Sequence, residues 1–320
     1  MIKNKRILIT GGAGFIGTSL FEELSKHNNH LIVIDNFNDY YSGKEEQFTE
    51  LTSHLTLNKD YSLLRCDLLK DSTYDQLEDG IDIIFHLAAQ AGVRYSIENA
   101  SEVSHNNITS TVKIFEYAVK NEVEKIIYAS SSSVYGNPEY TPVDEEHPKS
   151  PISPYAISKL TGEIYADYYY REYNLPVTSN RFYTVYGPRG RPDMAIRKFF
   201  HLVLNDEKIL IYGDGEQLRD FTYISDIING LILSAEKKST NGEIFNLGCS
   251  NPISVNQLVD KIYKIAEKPK NVKYVDERKG DVDVTHSDTT KAEKLLNYHP
   301  KITIDEGLKR TYDWITEWEE

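Results

Sequence analysis

RILITGGAGFIGTSLFEELSKHNNHLIVID, residues Arg6–Asp35, is the stretch on which the fold turns. RILIT is a short apolar run of the kind that forms a strand buried on both faces. It meets Gly11, Gly14 and Gly17 in a G-x-x-G-x-x-G turn, and TSLFEELSKH then reads as a helix. Glycines at a strand-to-helix turn permit a tight bend. They also let backbone amides at the helix N-terminus approach a pyrophosphate. LIVID forms a second strand and ends at Asp35, 18 positions beyond Gly17. An acidic side chain there suits the hydroxyls of an adenosine ribose and disfavours a 2′-phosphate. The reading is therefore a dinucleotide site for NAD, with Gly11, Gly14, Phe15, Ile16, Gly17, Asp35 and Asn36 around it. A plain strand-end turn is the competing role for Asp35.

The pattern continues outward. Tyr61–Asp67 predicts a third strand that carries Asp67 and Leu68 toward the adenine. IDIIFHLAAQ predicts a strand ending at Leu87, Ala88 and Ala89, small enough for a cofactor to pass. SHNNITSTVKIFEYAVKN predicts a polar start and a helix, with Asn107 as either a cofactor contact or a helix cap. VEKIIYASSSSVYG predicts a strand with serines at its carboxyl end, where open α/β sheets bind ligands. Alternating strands and helices imply a Rossmann-like doubly wound parallel sheet. We assign residues 1–180 to a dinucleotide-binding domain. Residues 181–320 form mainly a smaller substrate domain, with about 220–250 returning to the first.

SPYAISK supplies the chemistry. Ser153 and Pro154 read as a helix N-cap and first turn. Tyr155 and Lys159 are four apart and share one helix face. A cation beside a phenol favours the phenolate, and a serine from the neighbouring strand end can complete a proton path. Downstream, a strand and loop over Val177–Pro188 bring Phe182 and Thr184 toward this centre. In PRGRPD, Arg191 could grip a carboxylate or pair structurally with Asp193.

Composition narrows the function classes. A chain of 320 residues with 40% hydrophobic and 27% charged residues has the make-up of a globular protein with a sizeable core. A net charge of −13 leaves no basic field for nucleic acid. Cys66 and Cys249 make no disulfide framework or metal motif and read as buried small hydrophobes; no metal is expected. No apolar run approaches a membrane span and no leader segment precedes the first strand, so a cytoplasmic location is expected.

Taken together, these pieces resemble the extended short-chain dehydrogenase/reductase family of nucleotide-sugar epimerases and dehydratases. The resemblance runs from GGAGFIG through SSSSVYG and YAISK to RDFTYISD and KGDV. Three phrases most resemble the UDP-glucuronate 4-epimerases: DNFNDYY (Asp35–Tyr41), AAQAGVRYS (Ala88–Ser96) and RFYTVYGPRGRPDMA (Arg181–Ala195). The resemblance implies a tightly held NAD that takes a hydride from carbon 4 of the sugar and returns it. Tyr155 would be the base, and Lys159 would bind the nicotinamide ribose and lower the tyrosine pKa. Ser131 would bridge Tyr155 and the substrate. Arg191, and second to it Arg94, would read a sugar carboxylate. Arg219 and Arg278 would meet the diphosphate, and Asp281 the uridine ribose. Dimerisation through the helix after Ser104 and the Tyr-rich helix after Lys159 is likewise implied.

Dehydratase relatives carry Asp-Glu, and decarboxylases a Glu, just before VYG. Here Ser132 and Ser133 stand there, and neither is a carboxylate acid or base. Plain epimerisation of a UDP-sugar, UDP-glucuronate first, is the expectation. A neutral UDP-sugar is the nearest alternative; a decarboxylase, a dehydratase or a non-catalytic NAD-binding protein stands further off.

Overall fold

In a computed structural model, which describes residues 1–77, 79–277 and 282–318, six of the expected apolar runs form parallel strands. These are β1 (Arg6–Thr10), β2 (His30–Asp35), β3 (Tyr61–Arg65), β4 (Ile83–His86), β5 (Lys125–Ser131) and β6 (Val177–Phe182). The strand Ile244–Leu247 pairs in parallel with β6 and closes a seven-stranded sheet. From one edge the order is β3, β2, β1, β4, β5, β6 and Ile244–Leu247. The two halves wind away from the β1–β4 junction, where a doubly wound sheet opens a crevice at its carboxyl edge. The expected doubly wound sheet is the one that forms.

Strand residues alternate between two cores, as the period of 2 requires. Ile7, Ile9, Val33 and Phe85 pack on one face with helix α1 (Phe15–Ser25) and the helix Ile224–Glu236. Leu8, Ile32, Ile84 and Tyr128 pack on the other, with Ile114 and Phe115 of the helix Ser110–Lys120 and with Ala166 and Tyr169 of the helix Pro154–Tyr173. Each fully buried Ile, Leu or Phe contributes roughly 1.5–3 kcal/mol, so apolar burial holds the layers together.

Polar side chains then orient them. Arg181 on β6 is 1% exposed and forks onto Glu163 of the helix Pro154–Tyr173, Nε to Oε1 at 2.9 Å and Nη2 to Oε2 at 2.7 Å. Ser130 Oγ of β5 donates to the same Oε1 at 2.5 Å. Arg181 Nη1 donates to the Tyr135 hydroxyl at 2.7 Å, which donates to Asn246 Oδ1 of the edge strand, also at 2.7 Å. One buried pair thus ties a helix to three strands.

Several details differ from the sequence reading. The segment after Ser104 is a π-turn over His105–Thr109 that runs on into the helix Ser110–Lys120. Thr184–Tyr186, read as loop, is a short strand paired with Phe221–Tyr223. Cys66 and Cys249 are free thiols but only half-buried, and Cys66 lines the cleft described below. The helix Pro154–Tyr173 leaves Ile157, Ile164 and Tyr168 exposed along one side. Among the described residues no helix is long and apolar enough to cross a membrane.

Removing one partner of a buried ion pair strands the other charge, at a typical cost of about 3–5 kcal/mol. Glu163→Ala should destabilise the protein by that amount in urea unfolding, and the double variant Glu163→Met/Arg181→Met by clearly less. A single-variant loss under about 1 kcal/mol contradicts the role given to the pair.

Candidate active site

The carboxyl ends of the strands frame one cleft of about 870 Å³. Its floor is the glycine turn. Gly11 has φ +67° and a Cβ there would meet Ala88 Cα at 2.8 Å, so the turn closes onto the end of β4 only without a side chain. A Cβ on Gly17 would meet Gly11 O at 2.3 Å, which is how α1 comes so near the turn. The first turn of α1 carries no acidic residue, so no carboxylate of the helix itself offsets the positive end of its dipole at the cleft. Asp35 accepts from the backbone N–H of Ala13 at 3.1 Å and of Phe37 at 2.8 Å. It is thus both the strand-end turn residue and part of the cleft wall.

The Tyr155 helix starts as its sequence specifies. Ser153 Oγ accepts from Ala156 N at 3.2 Å, with Pro154 in the first turn. Lys159, 3% exposed, donates from Nζ to Ala129 O of β5 at 2.7 Å and lies 5.9 Å from the Tyr155 ring centroid. Burial pushes the Lys159 ammonium down to about 8, opposed by the Glu163 charge. Tyr155 itself is shifted upward by burial. The Arg191 charge and a hydrogen bond with Ser131 oppose that shift. Lys159 is thus anchored on a strand carbonyl beside the Tyr155 ring, and the Arg191 charge is a cation that opposes the upward shift of the phenol.

Beside this pair, Ser131 Oγ accepts from Ser133 N at 3.2 Å and from Ser133 Oγ at 2.9 Å. The serine run turns in a 3₁₀ segment, Ser132–Tyr135, so its hydroxyls stay at the cleft. Across from it Arg191 forks onto Asp193, Nε to Oδ1 at 2.9 Å and Nη2 to Oδ2 at 2.6 Å. The structural pairing that the sequence left open is present, yet Arg191 lines the cleft as well.

The family model described as GDP-mannose 4,6 dehydratase matches residues 8–311. The chain belongs to that family. It is similar to a UDP-glucuronate 4-epimerase from Thermodesulfobacterium geofontis, 38% identical over 313 residues, 97% of this chain and 96% of the relative. Among solved structures, UDP-glucuronic acid 4-epimerase from Bacillus cereus in complex with UDP-glucuronic acid and NAD aligns with a TM-score of 0.91 and 35% identity, covering 98% of this chain and 99% of that one. UDP-N-acetylglucosamine 4-epimerase from Methanobrevibacter ruminantium in complex with UDP-N-acetylmuramic acid aligns equally well, at 0.91 and 32% identity, covering 99% and 100%. The 4-epimerases among these relatives are isomerases, and the resemblance read from the motifs is borne out.

For this member of the family the cleft gathers nearly all the residues singled out from the sequence. Gly11, Gly14, Phe15, Ile16, Gly17, Asp35, Asn36, Asp67, Leu68, Leu87, Ala88, Ala89 and Phe182 line it, as do Ser131, Ser132, Ser133, Tyr155, Lys159, Thr184, Arg94, Arg191 and Arg219. The bare glycine turn and the uncompensated start of α1 fit a dinucleotide diphosphate. Asn107 is the exception. It is 3% exposed, sits mid-π-turn rather than at a cap, and hydrogen-bonds Gln90 and Ser158 behind the cleft wall. Arg278 and Asp281 lie outside the described residues.

Sequence reasoning missed Tyr40, Tyr41, Lys44, Gln90, Lys198 and Lys208, all of which line the cleft. Their signal was weak, because each sits in a loop or helix start whose direction only the tertiary fold sets. DNFNDYY and AAQAGVRYS, quoted for their resemblance, contain three of them.

Loss of the Arg191 charge should push Tyr155 further up. The phenolate then forms only at higher pH, so the acid limb of the turnover profile of Arg191→Met should move to higher pH than wild type. An unmoved limb contradicts the electrostatic role of Arg191.

Proposed function

We propose that this protein catalyses NAD-dependent 4-epimerisation of a UDP-sugar, and that the sugar is glucuronate, giving UDP-galacturonate. The observation that carries the reading is the Ser131–Ser133 run beside Tyr155, a proton-transfer centre with no carboxylate in its strand end. Elimination from the sugar needs a positioned acid and base in addition to Tyr155. Among the described residues the carboxylates on the cleft wall are Asp35, Asp67, Asp193 and Glu207, and none belongs to the run.

The chain's own groups divide the work. Asp35, the glycine turn and Lys159 would hold the NAD. When bound, NAD supplies the hydride acceptor that takes hydrogen from carbon 4 and gives it back. Tyr155 receives the 4-hydroxyl proton, with Ser131 Oγ bridging the two oxygens. The sugar, now a 4-ketone, turns over within the cleft, and Tyr155 returns the proton to the new oxygen position. A 4-keto glucuronate is a β-keto acid that loses carbon dioxide readily. Neutral hydroxyls from Ser132, Ser133 and Thr184 hold its carboxylate without offering an acid. Arg191 has Nε and Nη2 engaged by Asp193 and keeps Nη1 as its donor for the sugar.

A second reading has an observation of its own. The Asp193 fork offsets the Arg191 charge, which suits a neutral sugar such as glucose or N-acetylglucosamine. Product analysis separates the two. Incubation with UDP-glucuronate, UDP-glucose and UDP-N-acetylglucosamine should yield UDP-galacturonate from the first at a kcat/KM about tenfold or more above the others, the range one charged contact supplies. Conversion of the neutral sugars alone overturns the glucuronate assignment.

A further inference from the structure

We infer that Tyr40 is a positioning residue: carried on the loop after β2, it holds Arg191, from the second half of the chain, in place against the sugar of the substrate. The inference deepens the epimerase reading above and rests on it. It grows from the DNFNDYY motif. Asp35 Oδ1 accepts from Phe37 N at 2.8 Å, Asn36 Oδ1 from Asn38 N at 3.1 Å, and Asn38 Oδ1 from Tyr40 N at 3.4 Å. Each side chain takes the N–H two residues on, the local bond that Asp and Asn favour in turns. Lys44 Nζ fastens Asn38 Oδ1 at 2.7 Å. The loop is thus specified residue by residue, and it delivers Tyr40 to the cleft wall.

The ring is fixed there by its neighbours. Tyr95 meets it edge to face, with centroids 5.3 Å apart, and the Tyr95 hydroxyl is tied to the Glu102 carboxylate at 3.1 Å. Gly92, at φ +107°, leaves the room that the Tyr40 hydroxyl needs, because a Cβ there would meet Tyr40 Oη at 2.3 Å. The Arg191 guanidinium lies over the Tyr40 ring, 5.5 Å from its centroid, within the range of a cation–π contact. The Tyr40 hydroxyl also hydrogen-bonds with Asp193, the carboxylate onto which Arg191 forks.

Arg191 is therefore gripped twice, directly by the ring and indirectly through Asp193. The second grip alone would not place it. Asp193 is two residues away on the same loop, so the fork fixes the guanidinium relative to that loop only. A long arginine side chain is costly to immobilise, whereas a tyrosine ring has few torsions to lose. Tyr40, held by Tyr95 and Gly92, ties the guanidinium to the wall of the cleft that the first half of the chain builds. Tyr155 belongs to that half too, so Arg191 is placed relative to the proton-transfer centre as well as to the sugar.

The test is a double-mutant cycle between Tyr40→Leu and Arg191→Met. It reads kcat/KM of the full-length protein, with NAD saturating, on the UDP-sugar that product analysis identifies. Tyr40→Leu should lower kcat/KM about tenfold, the size of a partly desolvated cation–π contact with its hydrogen bond. On the Arg191→Met background the further loss should stay under about twofold. Tyr40→Phe keeps the ring and should lose about threefold. UDP, which lacks the sugar, should inhibit every variant with the wild-type Ki. A loss of equal size in both backgrounds overturns the inference, as does an unchanged kcat/KM or a parallel loss of affinity for UDP. If Tyr40→Leu lowers the melting temperature, Tyr40→Phe becomes the deciding variant, and its threefold loss should vanish on the Arg191→Met background. Wild-type protein that turns over no UDP-sugar would instead refute the proposed function, so the two failures are distinct.

Discussion

The buried fork between Arg181 and Glu163 is the constraint on which the site depends. Apolar burial presses the helix Pro154–Tyr173 onto the sheet, but it is non-directional and leaves the helix free to slide or roll. A bidentate guanidinium–carboxylate pair allows one distance and one plane. Replacing such a pair by well-packed hydrophobes is often neutral for stability, so its contribution here is orientation. Glu163 lies one turn past Lys159, and Ser130, which donates to Glu163, precedes Ser131. The ion pair therefore sets the register between the helix bearing Tyr155 and Lys159 and the strand end bearing Ser131.

The electrostatics of the cleft follow from burial around that frame. Lys159 stays charged with the help of Glu163 behind it and an Ala129 carbonyl in front. Tyr155 is held neutral by burial, and the Arg191 charge works against that from across the cleft. The phenol at the proposed proton-transfer centre is thus tuned by a residue of the second half of the chain, although it sits on a helix of the first.

Much of this was legible in the sequence, for local reasons. The strand, glycine turn, helix and Asp35 depend on backbone preferences within 30 residues, and the Ser153–Pro154 helix start is a capping rule read directly. What escaped depends on pairings across the chain. Glu163 gives no sign of facing Arg181, because the contact exists only once β6 lies beside β5. Asn107 was weighed as cofactor contact or cap. It is not a cap, since it sits inside a π-turn, on the backbone of Gln90 and the hydroxyl of Ser158. Arg191 pairs with Asp193, one of its two readings, and lines the cleft as well, which a sequence alone does not reveal.

In the proposed reaction hydrogen leaves carbon 4 and returns to the same carbon within one site. UDP-glucuronate carrying deuterium at carbon 4 is the probe for that transfer. Mass and NMR analysis of the product should find the deuterium retained at carbon 4 of UDP-galacturonate, in ordinary water, with no NADH accumulating at steady state. Deuterium lost to solvent, or NADH building up with each turnover, would rule out hydride return within the site.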